Sequence, residues 1–109
     1  MSSVREVLEQ ERAGCERRIR ALEREFAGIA AAADGSNGDD EHDPEGATVG
    51  FERDQVSALL EQTRTRLGEI AAALARVGTG AYGVCERCGG PIPAERLAVR
   101  PTAATCVRC

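Results

Sequence analysis

The sequence is poor in large apolar side chains. Its 109 residues include two Phe, one Tyr and no Trp, so that aromatic residues make up 3% of the chain, whereas 18 residues are alanine. This composition supplies little bulky material for a globular core and favours an elongated helical protein. The chain also has no lysine, so all 14 of its basic side chains are arginines. A length of 109 residues limits it to one ordinary domain and excludes a large enzyme.

Long apolar runs are also absent. No stretch approaches the ~20 apolar residues that a membrane-spanning helix needs. Residues 1–6 are followed by a charged segment instead of the apolar core of a signal peptide. We therefore expect a cytoplasmic protein without membrane contact. In that compartment its five cysteines are expected to be reduced and to bind metal.

The net charge of −4 comes from one segment. Residues 34–50 contain six acidic side chains and no arginine. The segments 1–33 and 51–78 each balance their charges, and residues 79–109 have a surplus of two arginines. The acidity is therefore local to a short segment whose glycines and proline predict a turn.

Two segments have the apolar spacing of helices that pack lengthwise on another helix. In the first, steps of three and four residues lead from Cys15 to Ala33, and Leu8 and Val4 extend the pattern less regularly. Before them, Ser3-Val4-Arg5-Glu6 is a capping-box pattern. We expect a helix over residues 3–33.

The second helical segment repeats these steps from Val56 to Val77. Gly78-Thr79-Gly80 follows, and a glycine there suits a left-handed helix end. Its start is open between Asp43-Pro44, where proline would take the first helical position, and a point near Thr48. We expect a helix over residues 48–77, or one that begins earlier at the proline.

The two helices are predicted to form an antiparallel hairpin. Residues that would face each other have position numbers with a constant sum of 89, as antiparallel neighbours require. The short polar connection favours this hairpin over the alternative, a dimerising zipper. The predicted pairs are Ala33 with Val56, Ile29 with Leu60, Phe26 with Thr63, Leu22 with Leu67, Ile19 with Ile70, and Cys15 with Leu74.

Two Cys-x-x-Cys pairs near the C-terminus have the spacing of a structural zinc site. Seventeen residues separate the pair Cys85 and Cys88 from the pair Cys106 and Cys109. Each pair presents two thiolates from one tight turn, and two such turns complete a tetrahedron around Zn²⁺. A thioredoxin-like redox motif is the alternative, but it would not explain two pairs in a segment without a βαβ pattern. Four thiolates leave no open position, which indicates one structural zinc.

The predicted fold is thus mainly α. Residues 1–78 form a long antiparallel coiled-coil hairpin with an acidic tip at 34–50, and residues 79–109 form a small four-cysteine zinc-finger module. The candidate residues at the tip are Asp39, Asp40, Asp43 and Glu45. Acidic turns are most often simply solvated; the functional alternative is that these carboxylates face a divalent cation or a basic surface on a partner. Their spacing does not match the calcium loop of an EF-hand.

The C-terminal segment from residue 80 to residue 109 closely resembles the four-cysteine zinc finger of the DksA/TraR family of bacterial transcription regulators. The resemblance includes both Cys-x-x-Cys pairs and the glycine after the first pair. It also includes four dipeptides, Tyr82-Gly83, Ile92-Pro93, Arg96-Leu97 and Arg100-Pro101. A helical hairpin with an acidic tip extends the likeness over nearly the whole chain.

The resemblance implies a mode of action. Members of this family bind RNA polymerase instead of promoter DNA, insert the coiled coil into the secondary channel, and bring acidic tip residues near the catalytic Mg²⁺. Some act together with ppGpp. The family's tip often has Asp-x-x-Asp-x-Ala; here Asp40 and Asp43 have the spacing, but Glu45 stands where Ala would, with Ala47 two positions later.

The leading hypothesis is therefore a monomeric, non-enzymatic regulator that binds RNA polymerase, with ppGpp as a possible further ligand. Four arginines of the zinc-finger module are expected to dock on an acidic polymerase surface or to be ordinary solvated charges: Arg87, Arg96, Arg100 and Arg108. A coiled-coil adaptor with another partner and a redox sensor that releases zinc are the alternatives. Sequence-specific DNA binding is not expected, because a surplus of two positive charges releases few counterions.

Overall fold

A computed structural model of the chain describes residues 3–35 and 44–109. Three helices follow one another: α1 is Val4–Gly35, α2 is Pro44–Thr79, and α3 is Ala94–Val99. In these ranges the only β-type pairing is an isolated antiparallel bridge between Val84 and Pro91. The prediction of a mainly α fold with two long helices and a four-cysteine module is confirmed.

The start of α1 and both ends of α2 follow the local sequence signals. Ser3 caps α1, because its Oγ accepts a hydrogen bond of 3.2 Å from the backbone N–H of Glu6. α2 begins at Pro44, the earlier of the two starts considered. Proline is suited to this position because an N–H in the first turn has no partner within the helix, so that its absence costs no hydrogen bond. The helix α2 ends in a Schellman arrangement: Gly80 has a φ of 80°, and Ala81 donates its N–H to the Arg76 carbonyl at 2.9 Å.

Cys15–Thr65 form one compact unit. In it, parts of α1 and α2 pack as an antiparallel helical hairpin around a core of Leu22, Val56 and Leu60. Ile19, Phe26, Ile29 and Leu59 pack against this core while remaining partly exposed. All of them except Leu59 belong to the predicted apolar seam, which places the hydrophobic contact where the spacing indicated. The residue-by-residue register stays a prediction.

An ion pair joins the two helices of this unit. Arg64 donates to a carboxylate oxygen of Glu23 at 3.1 Å, and both side chains are more than half exposed. It lies close to the predicted pair Phe26 and Thr63. Exposed ion pairs contribute little to stability, so the apolar seam holds this hairpin together.

Thr63 is a polar residue on the buried seam. Its side chain is 7% exposed, and its Oγ1 donates a hydrogen bond of 2.7 Å to the Leu59 carbonyl. That carbonyl is also the regular acceptor for the Thr63 N–H in an α-helix. The hydroxyl therefore has a hydrogen-bond acceptor, but the Leu59 carbonyl would keep a donor even without it.

Thr63→Val is expected to leave the hairpin as stable as before or to stabilise it by up to ~1 kcal/mol, because a methyl group replaces a buried hydroxyl without orphaning an acceptor. Thermal unfolding followed by circular dichroism measures this. Thr65→Val, at an exposed position of the same helix, is the matched control and should change nothing. A loss of more than ~1 kcal/mol at Thr63 alone would show that the hydroxyl has a structural role.

Met1–Gly14 and Arg66–Cys109 form the other compact unit. Its fully buried side chains include Leu8 of α1, Ile70 of α2 and Cys85 of the four-cysteine module. Other buried residues of this core are Ala73, Ile92, Thr102 and Ala103. Leu8 extends the apolar spacing only irregularly, yet it is buried as completely as any residue of the regular seam. The division into 1–78 and 79–109 stays a prediction.

Residues 36–43 of the acidic segment lie outside the part of the chain that the structure describes. Asp39, Asp40 and Asp43 are outside the described residues, and Glu45 falls in the first turn of α2. Among the helices of the described ranges, none combines the length and apolar character that crossing a membrane requires.

Candidate metal centre

The first Cys-x-x-Cys turn is built by short-range backbone hydrogen bonds. Cys88 directs its backbone N–H toward the Cys85 sulfur at 3.5 Å, and Gly89 donates to the Cys85 carbonyl at 2.9 Å. Cys85 in turn donates its N–H to the Gly90 carbonyl at 2.8 Å. Gly89 has a φ of 73°, a conformation that a side chain would strain. The turn is a knuckle that aims two sulfur atoms at one point.

The second turn faces the first. Cys109 donates its N–H to the Cys106 carbonyl at 3.2 Å, and Glu86 of the first knuckle donates its N–H to the Ala104 carbonyl at 2.9 Å. The second bond ties the two knuckles together through their backbones. It therefore contributes to the separation at which the two knuckles are held.

The four sulfur atoms have the arrangement that a tetrahedral metal ion needs. The Sγ atoms of Cys85, Cys88, Cys106 and Cys109 all lie within 4.8 Å of one another. Cys106 Sγ is 3.7 Å from Cys88 Sγ and 3.6 Å from Cys109 Sγ. A tetrahedron with Zn–S bonds of ~2.3 Å has edges of about 3.8 Å. All four thiols are free, and the donor set fits one structural zinc.

Hydrogen bonds and neighbouring thiols lower the pKa of some thiols of the cluster and raise that of others. Backbone N–H groups, first that of Cys88 and then that of Cys106, lower the pKa of Cys85 to about 6. The Arg108 N–H and the Cys109 thiol also lower the pKa of Cys106. Interaction with Cys106 raises the pKa of Cys109 to about 12. Zinc binding must displace the protons that these thiols still hold.

A short stretch before the second knuckle, residues 100–105, is held from several sides; we call it the bridging segment. Tyr82 donates its hydroxyl to the Pro101 carbonyl at 2.8 Å, and desolvation raises the pKa of Tyr82, which keeps it a donor. Arg96 donates its Nε–H to the Thr105 carbonyl at 2.9 Å. These bonds fix the approach of the chain to Cys106.

Two arginines of α2 donate hydrogen bonds to Thr102 of the bridging segment, whose side chain is buried. Arg66 donates to the Thr102 hydroxyl at 3.1 Å and, with its other nitrogen, to Glu11 of α1 at 2.8 Å. Arg76 donates to the Thr102 carbonyl at 3.2 Å and lies 3.6 Å from a Glu86 carboxylate oxygen. The four-cysteine module is thereby linked to both long helices through polar contacts.

The four arginines singled out in the sequence have different environments. Arg96 is bound to Thr105, and Arg100 pairs with Glu69 of α2 at 3.6 Å. Arg87 and Arg108 are exposed and have no partner among the described residues. Sequence reasoning missed Arg66 and Arg76, because an arginine in a helix signals a solvated face until the buried threonine that it binds is known.

Comparison with known proteins places this geometry in a family. Residues 80–109 match the prokaryotic DksA/TraR C4-type zinc finger. The structure of the transcription factor DksA2 from Pseudomonas aeruginosa superimposes with a TM-score of 0.80 at 31% identity, covering 96% of this chain and 75% of that one. The likeness thus extends well beyond the zinc finger.

Proteins related in sequence support the same family assignment. An uncharacterised 8.2 kDa protein of Escherichia phage P2 is 41% identical over 61 residues, which are 56% of this chain and 74% of that protein. The RNA polymerase-binding transcription factor DksA of Caulobacter vibrioides is 44% identical over 54 residues, or 48% of this chain and 38% of that protein. Four other bacterial relatives are matched over 28% to 42% of their own length. The chain thus belongs to the DksA/TraR family, and its four clustered cysteines form that family's structural zinc finger.

Proposed function

We propose that this protein is a transcription regulator that acts by binding RNA polymerase directly. The observation that carries the proposal is the likeness to the transcription factor DksA2 over 96% of the chain. It includes the long helices as well as the zinc finger. The Caulobacter relative is named for RNA polymerase binding, which supplies the partner.

The proposed mode of action uses the acidic segment between α1 and α2. Six carboxylates in residues 34–50 form a local concentration of negative charge, and carboxylates are ligands that Mg²⁺ accepts. We propose that the helical hairpin enters the secondary channel and that Asp39, Asp40, Asp43 and Glu45 act near the catalytic metal. The segments on either side, residues 1–33 and 51–78, are charge-balanced, so the acidic segment is the main concentration of negative charge in this part of the sequence.

The zinc finger is proposed to serve as structural support in this activity. Cys85, Cys88, Cys106 and Cys109 are the proposed ligands, and four thiolates leave zinc no site for substrate or water. We also propose that the protein acts as a monomer and without sequence-specific DNA binding. A dependence on ppGpp belongs to the same proposal, and assays with and without the nucleotide test it.

Binding is tested with the purified zinc-loaded protein and the RNA polymerase of the same bacterium. We expect the two to co-migrate in size-exclusion chromatography and the small protein to alter the lifetime of open complexes. Absence of any association would contradict the proposal. A stable homodimer in light scattering, together with no polymerase binding, would favour the coiled-coil adaptor.

The acidic residues are tested separately from binding. Asp40→Asn combined with Asp43→Asn is expected to abolish the effect on open-complex lifetime while the affinity for polymerase falls less than about threefold, because the change removes charge near the metal but not the helical contacts. Glu45→Gln, measured alone, shows whether the glutamate contributes. The measurements are in vitro transcription and a direct binding assay.

Asp54→Asn is the matched control, since Asp54 is an exposed carboxylate of α2 beyond the acidic segment. It should leave both binding and regulation unchanged. If the double variant regulates transcription as well as the unchanged protein, the acidic segment does not act at the catalytic centre.

A further inference from the structure

We propose that the two zinc knuckles form a docking surface for an acidic protein surface, through Arg87 and Arg108, which we call the knuckle arginines. Taken with the proposed function, on which this inference rests for the identity of the partner, that acidic surface belongs to RNA polymerase. The contact would be separate from that of the acidic segment.

The knuckle arginines occupy equivalent positions in the two turns. Each stands immediately before the second cysteine of its pair, in Cys85-Glu86-Arg87-Cys88 and in Cys106-Val107-Arg108-Cys109. The turns are adjacent, because the sulfur atoms of all four cysteines lie within 4.8 Å of one another. The two arginines therefore belong to adjacent turns of one four-cysteine module.

The knuckle arginines lie in the exposed part of the module. Cys88 and Cys109, the direct neighbours of the two arginines, are exposed, whereas Cys85 is 2% exposed. The knuckle arginines are exposed as well, and Val107 between the second pair of cysteines is 70% exposed. The exposed residues of the two turns thus include two cations and an apolar side chain.

The knuckle arginines differ from the other arginines of this unit that touch the module. Arg66, Arg76 and Arg96 are bound to the bridging segment, and Arg100 is paired with Glu69. Glu86, the acidic residue beside Arg87, lies against Arg76. The two knuckle guanidinium groups therefore remain available to an external acceptor, as far as the described residues show.

An acidic protein fits these two cations better than a nucleic acid does. Guanidinium groups bind carboxylates through paired, directional hydrogen bonds, so two well-placed arginines suffice for recognition. Nucleic-acid affinity depends instead on the number of phosphates neutralised, and a chain with a net charge of −4 would repel them. The exposed valine adds apolar contact at the same surface.

The arginines also lie near a centre whose four thiolates and one Zn²⁺ sum to a formal charge of −2. A role confined to balancing that charge would appear in the affinity for zinc. A docking role would appear in the affinity for the partner. The two roles are therefore separated by measuring both quantities on the same variants.

The test uses the full-length zinc-loaded protein carrying Arg87→Gln and Arg108→Gln. We expect its affinity for RNA polymerase to fall about tenfold and to depend less on salt, with zinc stoichiometry unchanged. Arg5→Gln with Arg17→Gln, which removes two exposed arginines of α1, is the matched control and should bind nearly as well as the unchanged protein.

Each other result overturns the inference. Equal binding by the knuckle variant and the unchanged protein overturns it while the proposed function stands, and failure of the unchanged protein to bind polymerase overturns both. A parallel loss of affinity for double-stranded DNA would identify a nucleic-acid surface instead. If the glutamine variant loses zinc, Arg87→Lys with Arg108→Lys keeps the charge but removes the paired geometry. Unchanged polymerase binding by this variant would overturn docking through paired guanidinium contacts.

Discussion

Replacing Cys85 by serine is expected to abolish tight zinc binding and to leave residues 80–109 without a stable fold. Cys85 is 2% exposed and lies at the centre of the hydrogen bonds of the first knuckle. The module has few other buried apolar groups, chiefly Ile92 and Ala103. Structural zinc contributes about 10–16 kcal/mol in small zinc modules, far more than these side chains supply.

The loss is expected to spread to the long helices through the bridging segment. Thr102 accepts hydrogen bonds from Arg66 and Arg76, and Arg66 also binds Glu11 of α1. Once the segment loses its fixed position, these arginines lose their buried acceptors. Hydrogen exchange should therefore accelerate in residues 4–14 and 66–79, in addition to the module itself.

Zinc stoichiometry, thermal unfolding and hydrogen exchange check this expectation. Cys15→Ser is the matched control, because Cys15 is a half-buried cysteine of α1 outside the cluster, and it should retain one zinc per chain. A Cys85→Ser protein with full zinc content and unchanged exchange in α1 and α2 would contradict both the ligand assignment and the coupling.

The parts of the molecule that repeat a local rule could be predicted from the sequence. The steps of three and four residues marked the seam on which Leu22, Val56 and Leu60 are buried. The Ser3 cap and the glycine that ends α2 follow from the chemistry of single turns. The two Cys-x-x-Cys pairs marked the metal centre, because no other use of that spacing suits this segment.

The contacts between distant segments could not be predicted. Arg66 binds Thr102, 36 positions along the chain, and Glu11, 55 positions away. No local pattern distinguishes these residues from the solvated charges around them. These residues meet only where the zinc knuckles position the bridging segment, so the choice of partner for each arginine comes from tertiary structure. Each such polar contact contributes little free energy. Together, however, the contacts determine which arginines remain available for a partner.

Leu8 is the clearest case in which a residue is more buried than the apolar spacing indicated. Its replacement by alanine is expected to lower the stability of the protein strongly. Its side chain is 0% exposed, although the apolar steps become regular only from Cys15 onward. Leu8→Ala removes a buried side chain from α1 and leaves a cavity that helices can close only in part. Such changes cost about 2–5 kcal/mol, a large share of the stability of a small protein.

We expect the melting temperature of Leu8→Ala to fall by roughly 10 °C or more, while zinc remains bound because the knuckles do not depend on this side chain. Val99→Ala is the control, since Val99 of α3 is 88% exposed and its truncation should cost less than ~0.5 kcal/mol. An unchanged melting temperature for Leu8→Ala would mean that the N-terminal part of α1 adds little to the stability of its unit.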